Sequence, residues 1–412
     1  MIRRRRPAWG FLGGVLIAAL VAGGMAGFHP VLRWRLRMMM VRVQQTLFPP
    51  PVFLPTPVLS PLPSGSPPPT WTPRAPPSPT PEVQPTPAPS PTPTPSPTPT
   101  PSLPLSVTLQ GLEHQYQTFN NCGPAALTIA LSYFGRPERQ GDARAALRPG
   151  SVDDKNVSPE EMRVWVRSLG LEAWVGVGGD AVRLKRLIAA GFPVVVEQAV
   201  EDYREEGWLG HYVVVSGYDD TRGVWITQDS LRGAERLVKY EELDSMWRHF
   251  NRLYLIIYLP EQAETVAAIL GEDGDPSAMY ARALSTAQAE AATHPSDAFA
   301  FFNMGTNLVA LGRYEEAAAA FDQARRLGLP RRILWYQFGP YEAYYQVGRY
   351  DDVIQLANAV LKTTSGVEES LYWRGRAYEA IGEIGKARRD WEKALEWNPH
   401  FTPAQEALEG LP

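Results

Sequence analysis

QTFNNCGPAALTIALSYFG (residues 117–135) decides the reading of this chain. From Gly123 onward apolar residues recur at helical spacing and the run stops at Gly135, which predicts a helix over 123–135 with Cys122 directly before it. A cysteine at a helix N-terminus faces the positive end of the helix dipole, which lowers its pKa and favours thiolate. Cys122 is the single cysteine in 412 residues, so an intrachain disulfide, a CxxC redox pair and a Cys-rich zinc site are excluded. A lone cysteine is most often a small core residue, and only its surroundings can argue for chemistry.

Those surroundings predict an α+β domain over residues 105–262. SPEEMRVWVRSLG (158–170) reads as a second helix, with Ser158 and Glu161 placed for a capping box. AVRLKRLIAAG (181–191) reads as a third. Then PVVVEQAV, HYVVVSGY, GVWITQ and RLYLIIYL follow as short β-branched or aromatic runs bounded by Gly, Asp or Pro. Helices first and antiparallel-looking strands afterwards are the α+β order. A thiolate nucleophile needs a base, and the base needs an orienting group. His211 opens the strand HYVVVSGY directly after Gly210, whereas His114 and His249 read as surface or structural histidines. Asp229 ends the next strand, and a DDTRG connection would set His211 and Asp229 side by side. One imidazole nitrogen would then meet Asp229 and the other Cys122. Trp208, Trp225 and Trp247 read as core or rim aromatics.

The Cys-Gly-Pro helix start, the GFPVVV strand (191–196), GHYVVVSGYDD (210–220), WITQDS and the closing YEELDSMWRHFNRLYLIIYL resemble the C39-like peptidase family, within the papain-like cysteine protease fold. The resemblance spans nearly all of 105–262. It implies Cys122 as nucleophile, His211 as general base then acid, and Asp229 as orienter. It also implies an oxyanion-hole glutamine shortly before the cysteine, for which Gln117 is the candidate and Gln115 the alternative. Asn120 and Asn121 are expected to shape the turn into the helix. The implied chemistry is amide hydrolysis through a thioester, with no metal or organic cofactor. The best-known members cleave leader peptides after a double glycine and are fused to a transporter with a nucleotide-binding domain. No GxxxxGK[ST] motif occurs in this chain, so that role does not carry over.

Residues 276–412 read as helical and repetitive. FFNMGTNLVALGRYEEAAAAFDQA (301–324) and LYWRGRAYEAIGEIGKARRDWEKA (371–394) match Gly305 to Gly375, Gly312 to Gly382, Ala317 to Ala387, Phe321 to Trp391 and Ala324 to Ala394, all 70 apart. Half of that is close to the period of the tetratricopeptide repeat, roughly 34 residues, which this segment resembles. The middle copy (335–361) is degenerate, with Pro340 expected inside its first helix and Val353 at a small position. Stacked repeats of this type commonly hold a peptide or partner helix in a groove.

The N-terminal quarter reads differently. Residues 9–28 carry no charge and follow MIRRRR, the pattern of a membrane-spanning anchor with a cytoplasmic basic flank. Segment 33–48 alternates basic and apolar residues, as a stretch lying on a membrane surface would. Residues 49–104 hold 25 of the 40 prolines and read as a disordered polyproline-like linker. A second, short linker is expected at 263–275, where GEDGDP fits a spacer better than a calcium loop. Residues 1–48 carry eight arginines and no acid, leaving 32 basic against 44 acidic residues in the rest, which argues against a nucleic-acid partner. The expectation is a single-pass membrane protein with its body extracytoplasmic. It would be a cysteine peptidase acting on polypeptide, with the repeats recruiting substrate or a partner. A catalytically silent scaffold or an acyl/amide transferase on the same fold are the alternatives.

Overall fold

The computed structural model describes residues 53–57, 103–149, 156–203, 207–364 and 367–411. The expected anchor (9–28), the basic segment (33–48) and most of the proline-rich stretch lie outside the described residues. Among those described, no helix is long and apolar enough to cross a membrane.

The first domain is a sheet between two helical layers. Helices α1 (Cys122–Ser132), α2 (Gln140–Leu147) and α3 (Pro159–Ser168) precede most of the strands. The sheet comprises β1 (Ser106–Thr108), β2 (Glu172–Gly176), β3 (Val194–Tyr203), β4 (Gly207–Asp219), β5 (Val224–Asp229), β6 (Gly233–Lys239) and β7 (Tyr254–Tyr258). Its order is β2-β7-β3-β4-β5-β6, with β1 added on β4, and every pairing is antiparallel. Val195, Val214, Leu255 and Ile257 pack on α1 to α3. Val194, Val196, Val213, Val215 and Ile256 pack on α4 (Ala181–Ala189), α5 (Tyr240–Trp247) and α6 (Ala263–Leu270). Central strands buried on both faces explain why their sequences run apolar without alternation. Ser158 and Glu161 form the expected reciprocal cap, with the Glu161 amide donating to Ser158 Oγ at 3.2 Å and the Ser158 amide to Glu161 Oε2 at 2.8 Å.

The second linker is not a spacer. Residues 263–270 form α6, whose Val266 and Leu270 enter the core beside α4. In the following turn Asp273 is buried and paired with both Arg183 and Arg282. The amphipathic AETVAAIL run outweighs the spacer-like GEDGDP that follows it.

The repeats comprise α7 (Pro276–Thr293), the pairs α8 (Ala298–Ala310)/α9 (Tyr314–Leu327), α10 (Gly339–Gln346)/α11 (Tyr350–Leu361) and α12 (Glu368–Ala380)/α13 (Ile384–Trp397), and α14 (Thr402–Glu409). The 70-residue correspondence has a physical basis. A Cβ on Gly305 would lie 2.6 Å from the Phe321 ring, and one on Gly375 2.3 Å from Trp391 Nε1, so in both pairs a glycine admits the partner's aromatic ring. The middle copy departs from expectation. Pro340 sits in the first turn of α10 rather than inside the helix, where its missing N–H costs nothing. The residues ahead of it form a 3-10 turn (Arg331–Trp335) that leaves Trp335, Tyr336 and Phe338 beside the sheet domain.

Sheet domain and repeats pack directly on one another. Asn251 and Asn307 exchange amide hydrogen bonds at 2.7 and 3.3 Å, both buried. Arg248 pairs with Asp297, and Asn303 Nδ2 donates to the Arg248 carbonyl at 2.8 Å. Trp208 stacks on Phe250 and Phe299 and donates to His249 Nδ1 at 3.1 Å. His249 is thus a buried structural histidine, and burial next to Arg248 pushes its pKa down to about 4. Trp225 and Trp247 are core residues, as expected. The linker expectation for 49–104 needs one amendment, because residues 53–57 lie on the repeats, with Leu54 in their core.

Candidate active site

Cys122 is the first residue of α1, and the turn before it is built by the two asparagines. Asn120 takes a left-handed conformation (φ +50°) and its carbonyl accepts from Arg148 at 2.6 Å. Asn121 is fully buried, and its Nδ2 donates to Gln140 Oε1 at 2.8 Å. Both therefore shape the entry to the helix, as their position suggested. Cys122 itself is half-buried.

The sheet brings the other two residues to it. Val214 pairs with Gln228, so Asp229 stands one residue beyond that pair, within reach of the His211 ring. His211 Nε2 and Asp229 Oδ1 are 2.8 Å apart, and both side chains are almost wholly buried. Asp229 Oδ1 also accepts from the Leu231 and Arg232 amides at 2.9 and 3.0 Å. With Nε2 engaged by Asp229, Nδ1 is the ring nitrogen left to act on the Cys122 thiol, whose pKa the imidazole lowers. Burial alone would push the thiol pKa up. The His211 hydrogen bond and positive charge, helped by the Tyr212 and Gly123 amides, outweigh it and hold the thiol below its ordinary value. His211 moves the other way. Burial opposes its charge, but Asp229 and Cys122 together raise it to about 9. Asp229, despite burial, is held low by His211 and the two amides. The arrangement therefore favours thiolate and imidazolium at neutral pH.

The two glutamines separate clearly. Gln115 spends its amide on the helices, donating to Thr128 Oγ1 at 3.2 Å and accepting from the Gln140 amide at 3.1 Å. Gln117 is anchored beside Asp229, its Oε1 accepting from Ser230 Oγ at 2.9 Å and its backbone N–H donating to the Ser230 carbonyl at 2.8 Å. That leaves the Gln117 Nε2 group as a donor next to the site. His114 lies against the Tyr116 ring with no hydrogen bond from either ring nitrogen.

Two neighbours escaped the sequence reading. Glu197 on β3 is buried opposite Tyr212, and burial raises its carboxyl well above the usual range. The Cys122 charge adds to that rise, while a hydrogen bond with Tyr212 works against it. The only signal was an acid inside the apolar run VVVEQAV. Tyr336, from the repeats, packs against Gly210 and lies close enough to Cys122 to feel its charge. A Cβ on Gly210 would sit 2.9 Å from the Tyr336 ring and 2.7 Å from Phe250, so glycine is what lets the repeats approach the strand carrying His211. A small crevice of about 10 Å³ is lined by Asn156 and Ser158 of the sheet domain and by Trp335, Tyr336, Phe338, Val367 and Glu369 of the repeats.

With that geometry in place, residues 107–255 match the Peptidase_C39 like family and residues 368–401 match the tetratricopeptide repeat. The sheet domain is a C39-like peptidase domain. Among solved structures, a putative C39-like peptidase from Bacillus anthracis is 16% identical, covers 37% of this chain and 96% of its own, and has a TM-score of 0.31. A double glycine motif protease from an AMS/PCAT transporter, in complex with the leader peptide, is 19% identical, covers 37% and 98%, and scores 0.28. MamA 41-end from Desulfovibrio magneticus RS-1 is 19% identical, covers 36% and 80%, and scores 0.30. No curated protein matches the chain. Among the described residues no cluster of His, Cys, Asp and Glu could hold a metal ion.

Proposed function

We propose that this protein is a cysteine peptidase acting on polypeptide, with its repeats presenting a peptide or protein partner. The observation that carries the reading is the buried His211–Asp229 pair, 2.8 Å apart, whose imidazole lies close enough to the Cys122 thiol to pull its pKa down, with Cys122 at the start of a buried helix. In this reading the Cys122 thiolate attacks the scissile carbonyl carbon. The Cys122 backbone N–H and Gln117 Nε2 receive the oxyanion. His211 then gives its proton to the leaving amine as the C–N bond breaks, leaving a thioester on Cys122. Water, deprotonated by His211, attacks the thioester carbonyl and releases the acid with the thiol restored. Asp229 keeps the imidazole oriented throughout. Residues 9–28 would anchor the protein in a membrane with this body outside the cytoplasm.

The test is labelling of the full chain with a thiol-reactive peptide-like inhibitor from pH 4 to 9, with Cys122→Ala as blank. Fast labelling at pH 5–6 that collapses in His211→Ala is expected. Slow labelling that rises only near an ordinary thiol pKa of ~8.5 and ignores His211 would replace this reading with that of a silent scaffold. Product analysis against an added amine separates hydrolysis from transfer.

A further inference from the structure

Residues 53–57 (Phe-Leu-Pro-Thr-Pro) are seated on the repeats by contacts a non-specific spacer would not make. Phe53 forms an antiparallel bridge with Pro330, and the Leu54 amide donates to the Leu329 carbonyl at 3.0 Å. The Leu54 side chain is 4% exposed and belongs to the repeat core. The next two carbonyls are read by one side chain. Arg325 Nε donates to the Pro55 carbonyl at 2.9 Å and Nη2 to the Thr56 carbonyl at 3.1 Å.

Arg325 is built for this position. It is 1% exposed, its Nη1 donates to Asp352 at 2.7 Å and its Nη2 to Gln355 at 2.9 Å, and the Tyr344 ring lies 5.1 Å away. A buried guanidinium needs acceptors for its remaining donors, and the two strap carbonyls supply them. The segment is suited in turn. A residue before proline is biased to extended backbone, so Leu54 and Thr56 are pre-set, and proline has no N–H to leave unpaired. The strap's bonds fall on Arg325 of α9 and on the connection after α9, and Arg325 is itself held by Asp352 and Gln355 of α11.

We propose that the repeats carry a peptide-binding site centred on Arg325, which reads an extended aromatic–Leu–Pro–Thr segment through its leucine and two carbonyls. In the free protein the chain's own residues 53–57 fill it as a strap. Residues 58–102 tether the strap at an effective concentration on the order of millimolar. A segment of the same chemistry on another molecule therefore enters only by outcompeting it.

The test uses the full chain in detergent and a fluorescent peptide of residues 50–60. Two chains are compared, the natural one and one with Phe53–Pro57 replaced by Gly-Ser-Gly-Ser-Gly. The strap-replaced chain is expected to bind the peptide at least ~10-fold more tightly than the natural chain, because the tethered competitor is gone. A peptide carrying Leu54→Asp should not bind, and Arg325→Lys in the strap-replaced chain should weaken binding ~10-fold, since an ammonium cannot reach both carbonyls from one fixed plane. Thermal melting guards against misfolding, because the peptide should restore the midpoint lost with the strap. Equal binding by both chains, or none by a strap-replaced chain that still melts cooperatively, overturns the proposal. So does a natural chain that is dimeric by light scattering and becomes monomeric when the strap is replaced, since the occupant would then be a second copy.

Discussion

At the scale of single residues, the pairing of Cys122, His211 and Asp229 sets the pH behaviour. His211 in the fold titrates at about 9, above its ordinary 6.5. Its pairing therefore stabilises the fold in full below pH 6.5, and that contribution is lost as pH rises through about 9. On the proposed function, hydrolysis should fall over the same alkaline range because the imidazolium would be the acid for the leaving amine, while alkylation of Cys122 should not fall, since thiolate persists. Asp229→Asn should move the alkaline limb of hydrolysis downward and slow hydrolysis by about 10²-fold or more, read from a kcat/KM profile. Glu197 is a contrast. Its carboxyl is held neutral by burial, so Glu197→Gln should keep Cys122 labelling at pH 7 within about twofold, whereas an ionised Glu197 would have depressed it and the substitution would speed labelling. Cys122 and Asp229 were legible because each stands at an element boundary, whereas His211 does not open its strand as expected but lies four residues inside β4, and was marked only by Gly210 before it. Gln117 and Gln115 were not separable, since both lie in an irregular stretch where spacing fixes no direction. Only their bonds to Ser230 and Thr128 distinguish them.

At the scale of elements, the strand carrying His211 is placed by packing from two directions. Gly210→Ala would drive a methyl group into Phe250 and Tyr336. It should cost about 1–3 kcal/mol, read as a lowered thermal midpoint. Tyr336→Ala would remove the ring that packs against Gly210, and should likewise lower the thermal midpoint. β3, β4, β5, β7 and helices α1, α3 and α4 were readable from periodicity, whereas the short or polar β1, β2, β6 and α2 were not. The role of the middle repeat was not readable either, because a degenerate copy reads as a lapse in pattern, and here the lapse sets three aromatic residues against the sheet domain.

For the molecule as a whole, the boundary between the sheet domain and the repeats is more a seam than a hinge. Asn251→Ala would leave the Asn307 amide buried without its partner, at a cost of about 1–3 kcal/mol. Sheet-domain and repeat probes should then lose their structure at one lowered temperature, and two separate transitions would show the seam to be weak. Composition located the proline-rich stretch but averaged over it, so five residues whose fate turns on one leucine and two carbonyls were invisible to it. Those five residues have a consequence for how the protein responds to nicking. Residues 58–102 join two segments that are both seated on the same folded body. A single protease cut among them severs the covalent chain, yet the N-terminal piece stays attached through the strap. Only dilution or denaturant would then part the two fragments.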